Sequence, residues 1–148
     1  MDDLKYERLK LKYQLCFPLY AASKEVVRKY RPYLDALELT YTQYIVMMVL
    51  WEEKKLSVKA LGEKLYLDSG TLTPVLKSLE KKGYLTRERS KNDERVLDVS
   101  ITERGERLKE RALSVPQALS DCVRLEPSEA AELYRLLYKV LGNIEESM

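Results

Sequence analysis

The sequence has no histidine, two cysteines and five glycines in 148 residues. Without histidine the chain can form neither a Ser-His-Asp triad nor a Cys-His pair. Two cysteines are too few for a structural zinc site, and the glycines form no phosphate-binding loop. Carboxylate chemistry is the enzyme class that this composition leaves open. Because the other common kinds of catalytic site are missing, we expect a protein that is not an enzyme and that has no cofactor and no metal site.

Long apolar runs are also missing. The N-terminal stretch "MDDLKYERLKLKY" is charged throughout and lacks the apolar region of a secretory signal. No segment approaches the roughly 20 apolar residues that cross a bilayer. Two cysteines do not make a disulfide scaffold. These absences predict a cytoplasmic protein with reduced thiols and no membrane partner.

The net charge of +2 is unevenly distributed. Residues 77 to 95 contain seven basic and four acidic side chains, a local charge of +3, so the remainder carries −1. Such a cluster is typical of a surface for an anionic partner such as nucleic acid. A solvated helix face and hairpin is the alternative explanation of the charge alone.

Helical periodicity predicts a first helix over residues 5 to 30, bent by Pro18 and ended by Pro32. A second helix is expected to begin after Thr40, which forms a capping-box pattern with Gln43. This helix should extend to Trp51. A polar break, "EEKK", follows it.

Two further helices are predicted on either side of the turn "LDSG". Ser57 is expected to cap the first of these helices, which ends near Tyr66. Asp68 or Ser69 is expected to cap the second, which covers residues 69 to 82. Gly83 then occupies the position of a glycine that ends a helix.

After Gly83 the spacing of the apolar residues changes from the helical period to a period of two. This alternation predicts strands over residues 84 to 90 and 95 to 101, joined by the turn "SKNDE". A helix capped by Thr102 is expected to end near Pro116, and a last helix to cover residues 128 to 144.

Together these elements predict a mainly α fold with a small β-hairpin. The order is typical of a winged helix-turn-helix with dimerisation helices at both ends. We expect a single domain over residues 1–148, with the winged-helix core at 40–112 and dimerisation helices near 5–33 and 115–148.

The helix over 69 to 82 is the expected DNA reader, since small polar residues at its start can reach base edges in the major groove. Arg95 at the hairpin tip is expected in the adjacent minor groove. A protein-interaction module is the alternative for such a fold. The predicted major-groove contacts are Ser69, Thr71, Thr73 and Lys77, and the predicted phosphate contacts are Arg87, Arg89 and Lys91.

The wide apolar stripes of the first and last helices predict a homodimer, because one small winged domain cannot cover both. A two-fold dimer would present two reader helices to a pseudo-palindromic operator in double-stranded DNA, with half-sites about 10 base pairs apart.

Four stretches resemble the MarR family of bacterial regulators, and most of all its organic-hydroperoxide branch, the OhrR proteins. They are "LCFPLYAASKEV", "LTYTQYIVMMVLWE", "LYLDSGTLTPVLKSLEKKGYLTRERS" and "DERVLDVSITERG". The resemblance implies a repressor that leaves its operator when organic hydroperoxides oxidise a cysteine, which matches Cys16. It also implies that Asp93 and Arg95 form the wing motif of the family.

The same resemblance implies three tyrosines around the thiol, matching Tyr20, Tyr30 and Tyr41, the last two from the partner subunit. In some members a small thiol traps the oxidised cysteine, and in others a second cysteine forms an intersubunit disulfide. Cys122 lies in about the right region for that second cysteine.

The residues support the intersubunit arrangement independently. Cys16 and Tyr30 share a helix face but lie about 21 Å apart on a straight helix, so they cannot touch within one chain. Tyrosine hydroxyls could stabilise a thiolate where no histidine is present.

Three alternatives to this sensor stand. Cys16 could be a small buried hydrophobic residue. The protein could instead be a MarR-type regulator that releases DNA when it binds a small phenolic ligand, with Cys16 in a structural role. The protein could also be a thiol peroxidase without a DNA function.

Overall fold

Residues 2–147, which the computed structural model describes, form eight α-helices and one three-stranded antiparallel sheet. The sheet order is β1-β3-β2. This confirms the predicted mainly α class with a β-hairpin. The helices are α1 (Asp2–Tyr6), α2 (Cys16–Asp35), α3 (Tyr41–Glu53), α4 (Val58–Leu65), α5 (Ser69–Lys81), α6 (Glu103–Ala112), α7 (Val115–Val123) and α8 (Pro127–Ser147); the strands are β1 (Lys55–Ser57), β2 (Leu85–Arg89) and β3 (Leu97–Ile101).

The chain forms two compact units, of which the first ends at Val115 and the second begins at Pro116. The first contains the sheet and most of the buried side chains. The fully buried set includes Leu34, Met47, Leu50, Leu61, Leu72, Leu76, Leu79, Leu85 and Val99.

The first long helix differs from its prediction at both ends. Residues 7 to 13 form two short 3-10 turns, and the helix itself begins only at Cys16. Pro18 therefore lies in the first turn, where backbone amides have no partner within the helix and proline is tolerated. Pro32 does not end α2, which continues to Asp35 and buries Leu34.

The predicted caps of the central helices are confirmed. Thr40 and Gln43 form the reciprocal capping box of α3. Ser57 accepts the Ala60 amide at 3.0 Å at the start of α4. For α5 the cap is Asp68 and not Ser69, because its Oδ1 accepts the Thr71 amide at 2.7 Å.

The turn between α4 and α5 contains three residues, 66 to 68. Tyr66 takes a left-handed conformation with φ of 56°. Gly62 allows the turn to pack closely, since a Cβ there would lie 2.6 Å from the Leu67 carbonyl oxygen. This geometry holds α5 against α4 as the second helix of a helix-turn-helix.

The sheet contains one strand more than expected. The prediction of a simple polar break after α3 was wrong, because Lys55–Ser57 pairs with β3 and places Leu56 opposite Val99. The hairpin strands are shorter than predicted, β2 ending at Arg89 and β3 beginning at Leu97.

The helix that contains Cys122 was not predicted. The helix capped by Thr102 ends at Ala112. A separate helix, α7, then begins at Val115 with Pro116 in its first turn, and Cys122 lies within it. The last helix, α8, has no buried residue in the single chain. Within residues 2–147, none of the helices is long and apolar enough to span a bilayer.

Candidate functional site

Cys16 is the first residue of α2, and its thiol is free and exposed in the single chain. The first turn of a helix presents unpaired backbone amides and the positive end of the helix dipole, a position that favours negative charge. The exposure excludes the interpretation of Cys16 as a residue buried within its own chain. A thiol at this position is accessible to a reactive small molecule or to a partner subunit.

Tyr30 and Tyr41 are brought together, as α2 packs against α3. Their ring centroids are 5.0 Å apart. Tyr44 completes the cluster, at 5.7 Å from Tyr30 and 6.4 Å from Tyr41. Its ring also meets the edge of Trp51, whose Nε1 donates to the Gly105 carbonyl at 2.9 Å. We call Tyr30, Tyr41 and Tyr44 the tyrosine cluster.

Burial raises the pKa of all three tyrosines of the cluster above the usual 10.0. For Tyr30 the proximity of Tyr41 and Tyr44 raises the pKa further, because neighbouring phenolates would repel. The hydroxyls therefore stay protonated at neutral pH. Tyr30 and Tyr41, which are partly exposed, therefore remain hydrogen-bond donors accessible to an anion, whereas Tyr44 is buried.

Cys16 cannot reach the tyrosine cluster of its own chain. Since α2 is continuous from Cys16 to Asp35, Cys16 and Tyr30 lie about 21 Å apart along its axis. Tyr20, one turn after Cys16, is 64% exposed. It lines a groove of about 830 Å³ that extends along α2 to Tyr41. The other side chains of this groove include Ser23, Val27, Arg31, Leu34 and Leu39.

The predicted reader residues lie on α5, on the side away from its buried leucines. Ser69, Thr71 and Lys77 are exposed. Thr73 is half-buried, and its hydroxyl donates to the Ser69 carbonyl at 2.7 Å. The hydrogen bond from the Thr71 amide lowers the pKa of Asp68, which keeps the cap ionised. The start of α5 therefore presents small polar groups on an ordered first turn.

The wing ends in a short loop ordered by an ion pair. The Arg95 side chain is 91% exposed, and its Nε lies 3.2 Å from Oδ1 of Asp93. The same oxygen accepts the Arg95 amide at 3.0 Å. These contacts lower the pKa of Asp93. Arg89 and Lys91 are exposed on the same hairpin.

Arg87 differs from the other predicted phosphate contacts. Its side chain is 20% exposed and its Nη2 lies 3.1 Å from Oε1 of Glu80 on α5. The other carboxylate oxygen of Glu80 accepts the Arg87 amide at 2.9 Å. The pair lowers the pKa of Glu80 and ties β2 to the reader helix.

The sequence pattern of the family described as "Transcriptional regulator SarA/Rot" matches residues 28–112. The chain belongs to this family. It is 44% identical over 142 residues to the "Organic hydroperoxide resistance transcriptional regulator" of Bacillus subtilis, covering 96% of this chain and 97% of that protein.

Solved structures agree with this assignment. Reduced AbfR bound to DNA is 34% identical, with a TM-score of 0.79 over 96% of this chain and 97% of that one. AbfR is from Staphylococcus epidermidis. Its disulfide form gives a TM-score of 0.64 at 35% identity, over 95% of this chain and 99% of that one. A mutant Escherichia coli MarR complexed with operator DNA is 28% identical, with a TM-score of 0.73 over 86% of this chain and 93% of that one. The resemblance to MarR-type regulators of the organic-hydroperoxide branch is thereby confirmed.

In this SarA/Rot family member, two features of the region were not predicted from the sequence: the place of Tyr44 in the tyrosine cluster and the contact of Gln43 with α5. Tyr44 lies three residues after Tyr41 in "TYTQY", a spacing that places both on one helix face. Gln43 was predicted as part of a cap, but its side chain also contacts α5. In the described range no group of three or more acidic or cysteine side chains is placed to hold a metal ion.

Proposed function

We propose that this protein is a homodimeric DNA-binding repressor, and not an enzyme, that senses organic hydroperoxides through oxidation of Cys16. The observation that carries the proposal is an exposed thiol at the start of α2 together with a cluster of protonated tyrosines, formed between α2 and α3, that this thiol cannot reach within one chain. The Bacillus relative bears the name of an organic hydroperoxide regulator. AbfR has been solved bound to DNA in reduced and overoxidised forms. Action on DNA would place the protein in the cytoplasm.

A two-fold dimer resolves the separation of thiol and tyrosines. Cys16 and Tyr30 are equidistant along the chain from Ser23. An antiparallel pair of α2 helices with its two-fold axis near Ser23 would place Tyr30 opposite Cys16 of the partner subunit. Exposed apolar side chains on α2 and on α8 are available for such an interface; they include Phe17, Leu19, Val26, Val27, Leu133, Leu136, Val140 and Ile144.

The chemistry requires a thiolate and a hydroperoxide. The Cys16 thiolate attacks the terminal oxygen of ROOH, so that an S–O bond forms, the O–O bond breaks and alkoxide leaves and takes up a proton. Sulfur loses two electrons and the peroxide gains them. The hydroxyls of Tyr30 and Tyr41 from the partner subunit would donate to the thiolate, and Tyr20 would lie one turn away on the same helix as the thiol.

The resulting sulfenic acid can condense with a second thiol, releasing water and forming a disulfide. Cys122 is exposed on α7, and a cellular small thiol is the other candidate. We infer that Cys122 takes this role, because its thiol is free and exposed. The disulfide form of AbfR supports a disulfide as one state of such proteins.

For DNA we propose that the start of α5 enters the major groove, with Ser69, Thr71, Thr73 and Lys77 at base edges. Arg95, oriented by Asp93, would enter the minor groove beside it. Arg89 and Lys91 would contact phosphates. The prediction that Arg87 also contacts phosphate stays a prediction, and its pairing with Glu80 competes with that role.

The test is operator binding with and without an organic hydroperoxide, for wild type and Cys16→Ser. The operator fragment is selected by its tight binding to reduced protein. We expect peroxide to release wild type and to leave Cys16→Ser bound, because serine forms no sulfenic acid. Release of Cys16→Ser by peroxide, or no release of wild type, would contradict the proposal.

A further inference from the structure

Gln43 is the only buried polar or charged residue in the part of the chain that the structure describes, at 7% exposure. Its Nε2 donates to Oγ of Ser78 on α5 at 2.9 Å. Its Oε1 accepts the Thr40 amide at 3.0 Å and Nζ of Lys82 at 3.3 Å. A buried amide with these partners fixes the relative position of the groups that it joins, because losing one partner leaves an unpaired polar group.

The first turn of α3 has two neighbours. Tyr41 and Tyr44 lie on one face and meet Tyr30 of α2. Gln43 lies between them in sequence and directs its amide to Ser78 of α5. Because a helical turn moves as a unit, a shift of the tyrosines is also a shift of Gln43 relative to α5.

Lys82, at the end of α5, adds a second connection. Its Nζ donates to the Glu38 carbonyl in the loop between α2 and α3 as well as to Gln43. Glu38 has a left-handed backbone, with φ of 56°. The end of the reader helix is thus bonded to both sides of the turn that leads into α3.

We propose that Gln43 is a positioning residue that couples the tyrosine cluster to the reader helix, an inference that rests on the proposed function. An oxygen or a disulfide on Cys16 of the partner subunit adds volume against Tyr30 and Tyr41. The first turn of α3 then shifts. Since hydrogen bonds weaken outside about 2.7–3.2 Å, the Gln43–Ser78 bond transfers this shift to α5.

The experiment measures the coupling ratio, which is the operator Kd of the oxidised protein divided by that of the reduced protein. Ser78→Ala removes one partner of Gln43, and we expect it to lower the ratio by about two- to tenfold. Ser57→Ala is the matched control, because it removes one serine hydrogen bond in the same unit outside this network. Its ratio should equal that of wild type.

Two substitutions of Gln43 give a second test. Gln43→Met keeps the shape of the side chain without hydrogen bonds, so its ratio should fall. Gln43→Glu keeps acceptors for Thr40 and Lys82 and can accept from the Ser78 hydroxyl, so it should retain the wild-type ratio. If circular dichroism shows that Gln43→Met does not fold, the coupling ratios of Ser78→Ala and Gln43→Glu test the inference.

Intact-mass spectrometry must show that the rate of Cys16 oxidation is the same in every variant, because the inference concerns transmission and not reactivity. A wild-type ratio in Ser78→Ala would overturn the inference, and so would an equal loss in Ser57→Ala or slowed oxidation in Ser78→Ala. If wild type itself is not released by peroxide, it is the proposed function that fails.

Discussion

Removing the Tyr30 hydroxyl should slow the oxidation of Cys16 in the partner subunit and leave that of the same chain unaffected. A hydrogen bond to a charged group contributes about 1.5–3 kcal/mol, which is roughly 10- to 150-fold in the fraction of thiolate. Thiolates that are less stabilised are more nucleophilic, and this offsets about half of the loss on a logarithmic scale. Tyr30→Phe should therefore slow oxidation by roughly three- to twelvefold.

Heterodimers with one reactive thiol isolate the effect. In the first, one chain carries Cys16→Ser with Tyr30→Phe and its partner is wild type. In the second, Tyr30→Phe is on the chain that keeps Cys16 and the partner carries Cys16→Ser alone. Two affinity tags separate these species, and intact-mass spectrometry follows oxidation by cumene hydroperoxide.

The first heterodimer should react slowly and the second at the wild-type rate. Tyr66→Phe is the matched control, since Tyr66 is 48% exposed and lies in the turn between α4 and α5. If both heterodimers react at the same rate, or if only the second is slow, the intersubunit donor is refuted. Loss of packing is excluded by unchanged melting, because phenylalanine keeps the ring contacts of Tyr30.

The remaining predictions concern DNA binding, the wing and the second thiol. Arg95→Ala should weaken specific operator binding by ~1–3 kcal/mol, and unchanged affinity of this variant at all salt concentrations would refute the wing assignment. Lys91→Ala should instead lower the slope of log affinity against log salt concentration by about one. Glu80→Gln should lower the free energy of unfolding at neutral pH but not in acid. Because folding lowers the pKa of Glu80 below the ordinary 4.5, the ionised carboxylate stabilises the fold at pH values above 4.5, and this stability is lost as the pH falls through the lowered pKa. If denaturation gives the same difference between wild type and Glu80→Gln at both pH values, the prediction is contradicted. Cys122→Ser should abolish the covalent dimer that peroxide produces on a non-reducing gel; a monomer carrying the mass of an added small thiol would contradict the two-cysteine route.

Features with a local cause could be predicted from the sequence. The cap of α3 by Thr40 depends on groups three residues apart, and so do the caps by Ser57 and Asp68. Gly83 takes a positive φ of 85° as expected of a glycine that ends a helix. Such bonds form between chain neighbours and therefore leave a sequence signal.

Features that depend on tertiary packing could not be predicted in this way. β1 has three residues, too few for an alternating pattern, and pairs with a strand more than 40 positions away. The bond between Gln43 and Ser78 joins residues 35 positions apart. The helix α7 was not predicted because Pro116 was taken to mark the end of the preceding helix, whereas Pro116 lies in the first turn of α7.

The central claim is that oxidation of Cys16 releases the operator. The most direct measurement follows the fluorescence anisotropy of labelled operator bound to the protein after one equivalent of cumene hydroperoxide per Cys16. Samples from the same mixture give the mass at Cys16 by peptide mass spectrometry. The two time courses should coincide, with release rising as reduced Cys16 disappears. Release while Cys16 stays reduced, or DNA that stays bound while Cys16 is fully oxidised, would contradict the account.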